Sequence, residues 1–174
     1  MNSISPKRFA SSITARICAA AGGAREVVSV ETSARALELA RDNWGLNGLP
    51  AEGASFVADD VFRFLRENDS VYDLLVLDPP ALVKHRRDVT PGGRAYKDLN
   101  LQGFRRTAPG GLVATFSCSQ HVDADLFRKI VHGAAIDAER AVQIVQILGP
   151  SPDHPTSLAH PEGEYLHGLL LRVD

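Results

Sequence analysis

The stretch Tyr72–Lys84, YDLLVLDPPALVK, constrains the fold more than any other. Leu74, Leu75, Val76 and Leu77 form an unbroken apolar run, as suits a strand covered on both faces of a sheet. Asp78-Pro79-Pro80 ends it abruptly. Proline lacks the N–H that a ladder needs, and it drives the preceding residue out of the helical region. One carboxylate therefore stands at the carboxyl end of a buried strand, followed by stiff backbone. In open α/β sheets that edge is where ligands bind. A capped strand with a polar turn satisfies the same pattern.

Around this strand the chain alternates. Phe9, Ile13, Ile17 and Ala20 recur at helical spacing and predict a helix over Phe9–Ala21, stopped by Gly22-Gly23. EVVSVE, Glu26–Glu31, is β-branched and reads as a strand. Thr32 or Ser33 can cap the next helix, with Leu37, Ala40 and Trp44 on one face and Asn47-Gly48 at its end. ASFVADD, 54–60, is a short strand closing on two carboxylates, and Val61–Asn68 a short helix. After the Asp78 strand, a polar, basic loop is expected from Lys84 to about Arg94. A helix from about Ala95 to Thr107 follows, with Tyr96, Leu99 and Gly103 on one side. Pro109-Gly110-Gly111 turns into the strand LVATFS, with Ser117-Cys118-Ser119 at its end. Asp123–Ala138 is helical, with Leu126, Ile130 and Ala134 spaced by four. Residues 141–148 and 164–173 read as two late strands. This order predicts an α/β fold: a mostly parallel sheet with an antiparallel edge and helices on both faces.

With 174 residues the chain suits one domain. A net charge of -2 gives no global basic field, so nucleic-acid binding needs a local patch. His85, Arg86, Arg87, Arg94, Lys97, Arg105 and Arg106 supply one beside Asp78, either as phosphate contacts or as a solvated face. Two cysteines make no disulfide framework and point to a reduced compartment. No apolar run reaches membrane-spanning length, and Ser, Thr and Arg interrupt the apolar residues at the N-terminus. A cytoplasmic protein without membrane contact is expected. His154, His160 and His167 lack the spacing of a metal site.

Four predicted strands end in a polar residue: Glu31, Asp60, Asp78 and Cys118. Parallel strands bring all four to one rim. Glu31 is placed either to accept hydrogen bonds from ribose hydroxyls or to face a helix dipole. Asp60 reads as a helix cap or, the preferred reading, as an acceptor for a purine amino group. Cys118, between two serines and near His121, can serve as a nucleophile, although cysteines in apolar strands commonly just pack. Cys18 lies on an apolar helix face, where packing is expected.

Taken together, VSVETSARALELARDNWGLNGL, FVADDVFRFLR, YDLLVLDPPALVK, the YKDLN helix, PGG and SCSQH resemble the class I S-adenosylmethionine-dependent methyltransferases in order and spacing. The nearest group is the large-subunit ribosomal RNA cytosine-5 methyltransferases that carry a PUA domain. The likeness runs over about residues 19 to 173, including DHP and EGEYLHGLLLRV. It implies a Rossmann-like sheet, S-adenosylmethionine as cofactor and RNA as partner. It implies that Glu31 binds the cofactor ribose, that Asp60 faces the adenine and that Asp78 contacts cofactor and cytosine. Cys118 would then add to cytosine carbon 6 so that carbon 5 takes the methyl. Pro79, Pro80, Lys84, Arg86 and Arg87 would meet the RNA. Ala81 and Leu82 stand where amino-group methyltransferases usually stack an aromatic, which favours ring carbon over exocyclic nitrogen.

The departures are equally specific. The family's first strand and glycine-rich turn are not recognisable in residues 1–18, and no PUA domain is present in the sequence. A gap in mid-sheet is therefore expected, closed by the flanking strands or by a second copy of the chain, which makes a homodimer one expectation. An N-terminally truncated fold that binds RNA or a protein without turnover is the alternative. A nicotinamide enzyme also suits Glu31, but the absent Gly-x-Gly-x-x-Gly and the Asp78-Pro79-Pro80 corner argue against it.

Overall fold

The computed structural model describes residues 8–10, 15–150, 155–159, 163 and 165–174. Among them, seven strands form one sheet in the order β3-β2-β1-β4-β5-β7-β6. The strands are β1 (Arg8–Ala10), β2 (Glu26–Glu31), β3 (Ala54–Ala58), β4 (Tyr72–Leu77), β5 (Thr107–Ser117), β6 (Val142–Leu148) and β7 (His167–Val173). The helices are α1 (Ala15–Ala21), α2 (Ala34–Leu46), α3 (Val61–Glu67), α4 (Val89–Arg105) and α5 (Ala124–Asp137). β3, β2, β1, β4 and β5 run parallel, and β7 and β6 close the sheet antiparallel. The expected architecture is what forms.

One expectation fails at the centre. The slot between β2 and β4 is not vacant, because Arg8–Ala10 pairs with Glu26–Val28 on one side and Leu74–Leu75 on the other. Backbone donors and acceptors on both flanking strands favour any extended segment that can reach them. That outweighs the helical spacing at Phe9, which lies in a strand; the helix is described over Ala15–Ala21, and Ile13 lies outside the described residues. The chain itself fills the gap that suggested a second copy. Cys18 is exposed on this helix, not packed.

The larger core lies under α4 and α5. Leu75 and Leu77 of β4, Val113 of β5 and Leu169 and Leu171 of β7 meet Tyr96, Leu99, Phe104, Phe127 and Val131. Each such buried side chain contributes about 1.5–3 kcal/mol. On α5 the most buried stripe is Phe127, Val131, Ala134 and Ala135, with Leu126 and Ile130 packed at its margin. The second core gathers Val27 and Trp44 against α1, Phe56, Leu74 and Val76.

The basic loop is shorter than its polar composition suggests, because α4 starts at Val89. Pro91 sits in the first helical turn, where a missing N–H costs nothing. Gly92 lets that turn lie on the preceding loop: a Cβ there would come within 2.6 Å of the Leu82 carbonyl oxygen. β5 likewise begins earlier, at Thr107, so Pro109-Gly110-Gly111 is an irregularity inside the strand. Gly110 takes φ +76°, which favours glycine.

Candidate active site

The carboxyl ends of the parallel strands meet above β2 and β4. A cleft of about 640 Å³ opens there, with Glu31, Asp59, Asp60, Asp78, Pro79 and Pro80 in its wall and Leu75, Leu77 and Leu99 among its apolar lining. Three of the four predicted rim residues thus share one space. Its size and mixed lining suit a small organic cofactor.

Glu31 ends β2 half-buried. Its Oε1 accepts the Ser33 N–H at 3.1 Å and the Thr32 hydroxyl at 3.2 Å, which orients the carboxylate at the rim. Ser33, not Thr32, caps α2 through the Ala36 N–H. The buried guanidinium of Arg16 lies close enough for Glu31 to favour its charge. Burial dominates, however, and lowers the Arg16 pKa. Arg16 drew no attention in the sequence, where an arginine among Ile13, Ile17 and Ala20 gives no sign of facing inward.

Asp60 is the N-cap of α3: its Oδ1 accepts from Phe62 N–H at 2.9 Å and Arg63 N–H at 3.0 Å. The capping alternative is therefore realised, while the residue also lines the cleft. Asp59 forms an ion pair with Arg63. The hydrogen bond from Arg63 chiefly holds the Asp59 carboxyl below its ordinary range; desolvation opposes it, and the Asp60 N–H and the Arg63 charge assist.

Asp78 is exposed at the end of β4, and Pro79 beside it is buried. Cys118 lies beyond the cleft wall rather than in it. Its Sγ lies 3.8 Å from the carbonyl oxygen of Pro79, and Pro79 itself lines the cleft. Burial pushes the Cys118 thiol pKa up, and the Asp78 carboxylate adds to this, with a backbone hydrogen bond working against both. Sulfur and carboxylate are thus electrostatic neighbours. His121 is exposed after the turn.

The basic cluster divides. Lys84, His85, Arg86, Arg87 and Arg94 are exposed around the loop and the start of α4, on the Asp78 side. Arg106 sits at the opposite edge of the sheet. It donates to the carbonyls of Leu65 and Arg66 and to Asp69, tying α4 to α3. Arg105 reaches the Asp137 carbonyl at 3.5 Å and Lys97 pairs with the Asp137 carboxylate at 2.7 Å. Lys97, Arg105 and Arg106, which the sequence reads as phosphate contacts or as a solvated face, therefore hold helices together. No cluster of metal-binding side chains occurs among the described residues; His154 and His160 lie outside them. No described helix is long and apolar enough to cross a membrane.

The sequence profile of the S-adenosylmethionine-dependent methyltransferases matches residues 5–155. The chain belongs to this family. Ribosomal RNA large subunit methyltransferase I of Aeromonas hydrophila is 45% identical over 155 residues, which is 87% of this chain and 39% of the relative. The Klebsiella pneumoniae protein of the same name is 44% identical over 160 residues, 90% of this chain and 40% of its own. The chain thus spans about two-fifths of these relatives' length. A methyltransferase structure from Streptococcus mutans superposes with a TM-score of 0.80 at 20% identity, over 98% of this chain and 46% of that one. Another methyltransferase structure with the same score is a complex with SAH. Ribosomal protein L11 methylase from Lactobacillus delbrueckii gives a TM-score of 0.63 at 19% identity, over 97% of this chain and 70% of that one. At these identities the structures establish the fold.

S-adenosylmethionine is the cofactor of this methyltransferase family, and the cleft fits it chemically. Carboxylates at the rim suit ribose hydroxyls and a cationic sulfonium, and apolar walls suit a purine.

Proposed function

We propose that this methyltransferase chain acts on ribosomal RNA and methylates carbon 5 of a cytosine. The observation that carries the reading is the pairing of Cys118 with the Asp78-Pro79 corner: a thiol 3.8 Å from the carbonyl oxygen of Pro79, a residue that itself lines the cofactor cleft. A pyrimidine over that corner would be within reach of both the sulfur and the cleft.

Glu31 would accept hydrogen bonds from the cofactor's ribose hydroxyls, and Asp60 would face its adenine. When bound, S-adenosylmethionine supplies an electrophilic methyl group. Asp78 contacts the cytosine ring and polarises it. The Cys118 thiol gives its proton to solvent, and the thiolate adds to carbon 6, leaving carbon 5 electron-rich. Carbon 5 would take the methyl as its bond to the cofactor's sulfonium breaks, with S-adenosylhomocysteine as the neutral leaving group. A solvent base would then take the carbon 5 proton, and the released electron pair restores the double bond and expels the thiolate. The raised thiol pKa means that deprotonation must be driven before attack. Pro79 and Pro80 shape the corner, while Lys84, Arg86 and Arg87 neutralise RNA phosphates. The cytoplasm is the compartment that an RNA substrate and free thiols suit.

One observation favours a second reading, a fold that binds RNA without turnover. Ser11-Ser12-Ile13-Thr14, between β1 and α1, carries no glycine where the family has a glycine-rich turn. Calorimetry with S-adenosylmethionine and transfer of a tritiated methyl group to ribosomal RNA separate the two. Cofactor binding, 5-methylcytidine in the digest and its loss in Cys118→Ala support the first. No cofactor binding supports the second.

A further inference from the structure

Ser119 is fully buried, and its hydroxyl joins three elements. It accepts the Val83 N–H at 3.1 Å, from the loop after β4. It shares a hydrogen bond of 2.9 Å with the Tyr96 phenol on α4, either oxygen donating. The turn after β5, which carries Ser119 and Cys118, is further closed by Val122 N–H donating to the Ser119 carbonyl at 3.0 Å.

We propose that Ser119 and Tyr96 are positioning residues, a buried latch that holds the Cys118 thiol beside the Asp78-Pro79 corner. The geometry forms a closed ring. Pro79 and Val83 belong to one loop, and Cys118 and Ser119 are adjacent in the other. The two loops touch at Cys118 Sγ–Pro79 O and at Val83 N–Ser119 Oγ. The sulfur contact is long and weak, so it cannot hold the loops by itself. The hydroxyl contacts are short and buried, and removing them strands a backbone N–H and a phenol away from water. Gly92 adds to the same junction, because only a residue without Cβ lets α4 bring Tyr96 down on this loop. The sequence shows Ser119 only as a neighbour of Cys118.

For turnover this inference rests on the nucleophile reading above; for thiol geometry it does not. The chain has two cysteines, so a Cys18→Ser background leaves Cys118 as the sole thiol. Iodoacetamide alkylation is measured against pH in the full chain, with and without Ser119→Ala or Tyr96→Phe. Released from burial and from Asp78, the thiol in Ser119→Ala should alkylate about tenfold faster near neutral pH, with its midpoint moved down. Tyr96→Phe should shift it in the same direction by about threefold. Methyl transfer should lose kcat while cofactor affinity stays within about twofold. Superimposable alkylation profiles in folded variants would overturn the latch. If Ser119→Ala does not fold, Tyr96→Phe decides, since it keeps the ring against Phe127 at 5.8 Å. Methyl transfer surviving in Cys118→Ala would overturn the nucleophile reading instead, and the alkylation comparison would still decide the latch.

Discussion

Asp60 has two proposed duties, and substitution can separate them. Its Oδ1 takes both capping hydrogen bonds of α3, at 2.9 and 3.0 Å, while the residue faces the cleft. Asp60→Ala removes the cap, at a cost of about 1 kcal/mol. For a domain of this size that lowers Tm by roughly 2–4 °C. Asp60→Asn keeps an oxygen for the cap, and asparagine caps about as well as aspartate. Its Tm should stay within about 1 °C of the parent. The amide's remaining group is a donor, which cannot accept from an adenine amino group. Losing a hydrogen bond to a charged acceptor costs about 1.5–3 kcal/mol, or roughly 10–150-fold in cofactor Kd. Thermal melts and calorimetric titration with S-adenosylmethionine report the two duties separately. If Asp60→Asn binds cofactor as tightly as the parent, the adenine assignment is wrong. If Asp60→Ala melts at the parent temperature, the cap reasoning is.

Further predictions follow from the thiol and the divided cations. Because burial and Asp78 raise the Cys118 pKa, the thiolate fraction at neutral pH is small and grows with pH. Single-turnover methyl transfer should therefore keep rising beyond about pH 8.5, where an ordinary thiol is half ionised; a plateau well below that would sink thiolate attack as the limiting step. Replacing Lys84, Arg86 and Arg87 with alanine should reduce the slope of log K against log salt for RNA binding by about 2–3, with little change in Tm. An unchanged slope would show that these side chains meet no phosphate. Arg106→Ala should behave oppositely: its three hydrogen bonds to Leu65, Asp69 and Arg66 are lost, costing about 2 kcal/mol and roughly 4–8 °C in Tm, with the salt slope intact. A chain that melts as before would refute the structural role given to this arginine.

Much of the architecture was legible because its causes are local. Apolar runs bounded by glycine and proline marked β2 and β4, and side-chain spacing marked α2, whose Leu37, Ala40 and Trp44 are all buried. The polar residues closing those strands were legible too, and parallel pairing brings Glu31, Asp60 and Asp78 to one cleft. What depended on distant partners was not. Arg8–Ala10 is a strand only because β2 and β4 offer ladder groups on both sides, and no local pattern announces that. Arg106 is indistinguishable from Arg86 until α3 is seen to present carbonyls to it. Ser119 and Val83 lie 36 positions apart and meet only because parallel strands end side by side. Residue type and spacing determined which groups could do chemistry; tertiary packing decided which were left facing the cleft and which were consumed in holding it together, because a hydrogen bond is chosen by proximity in space.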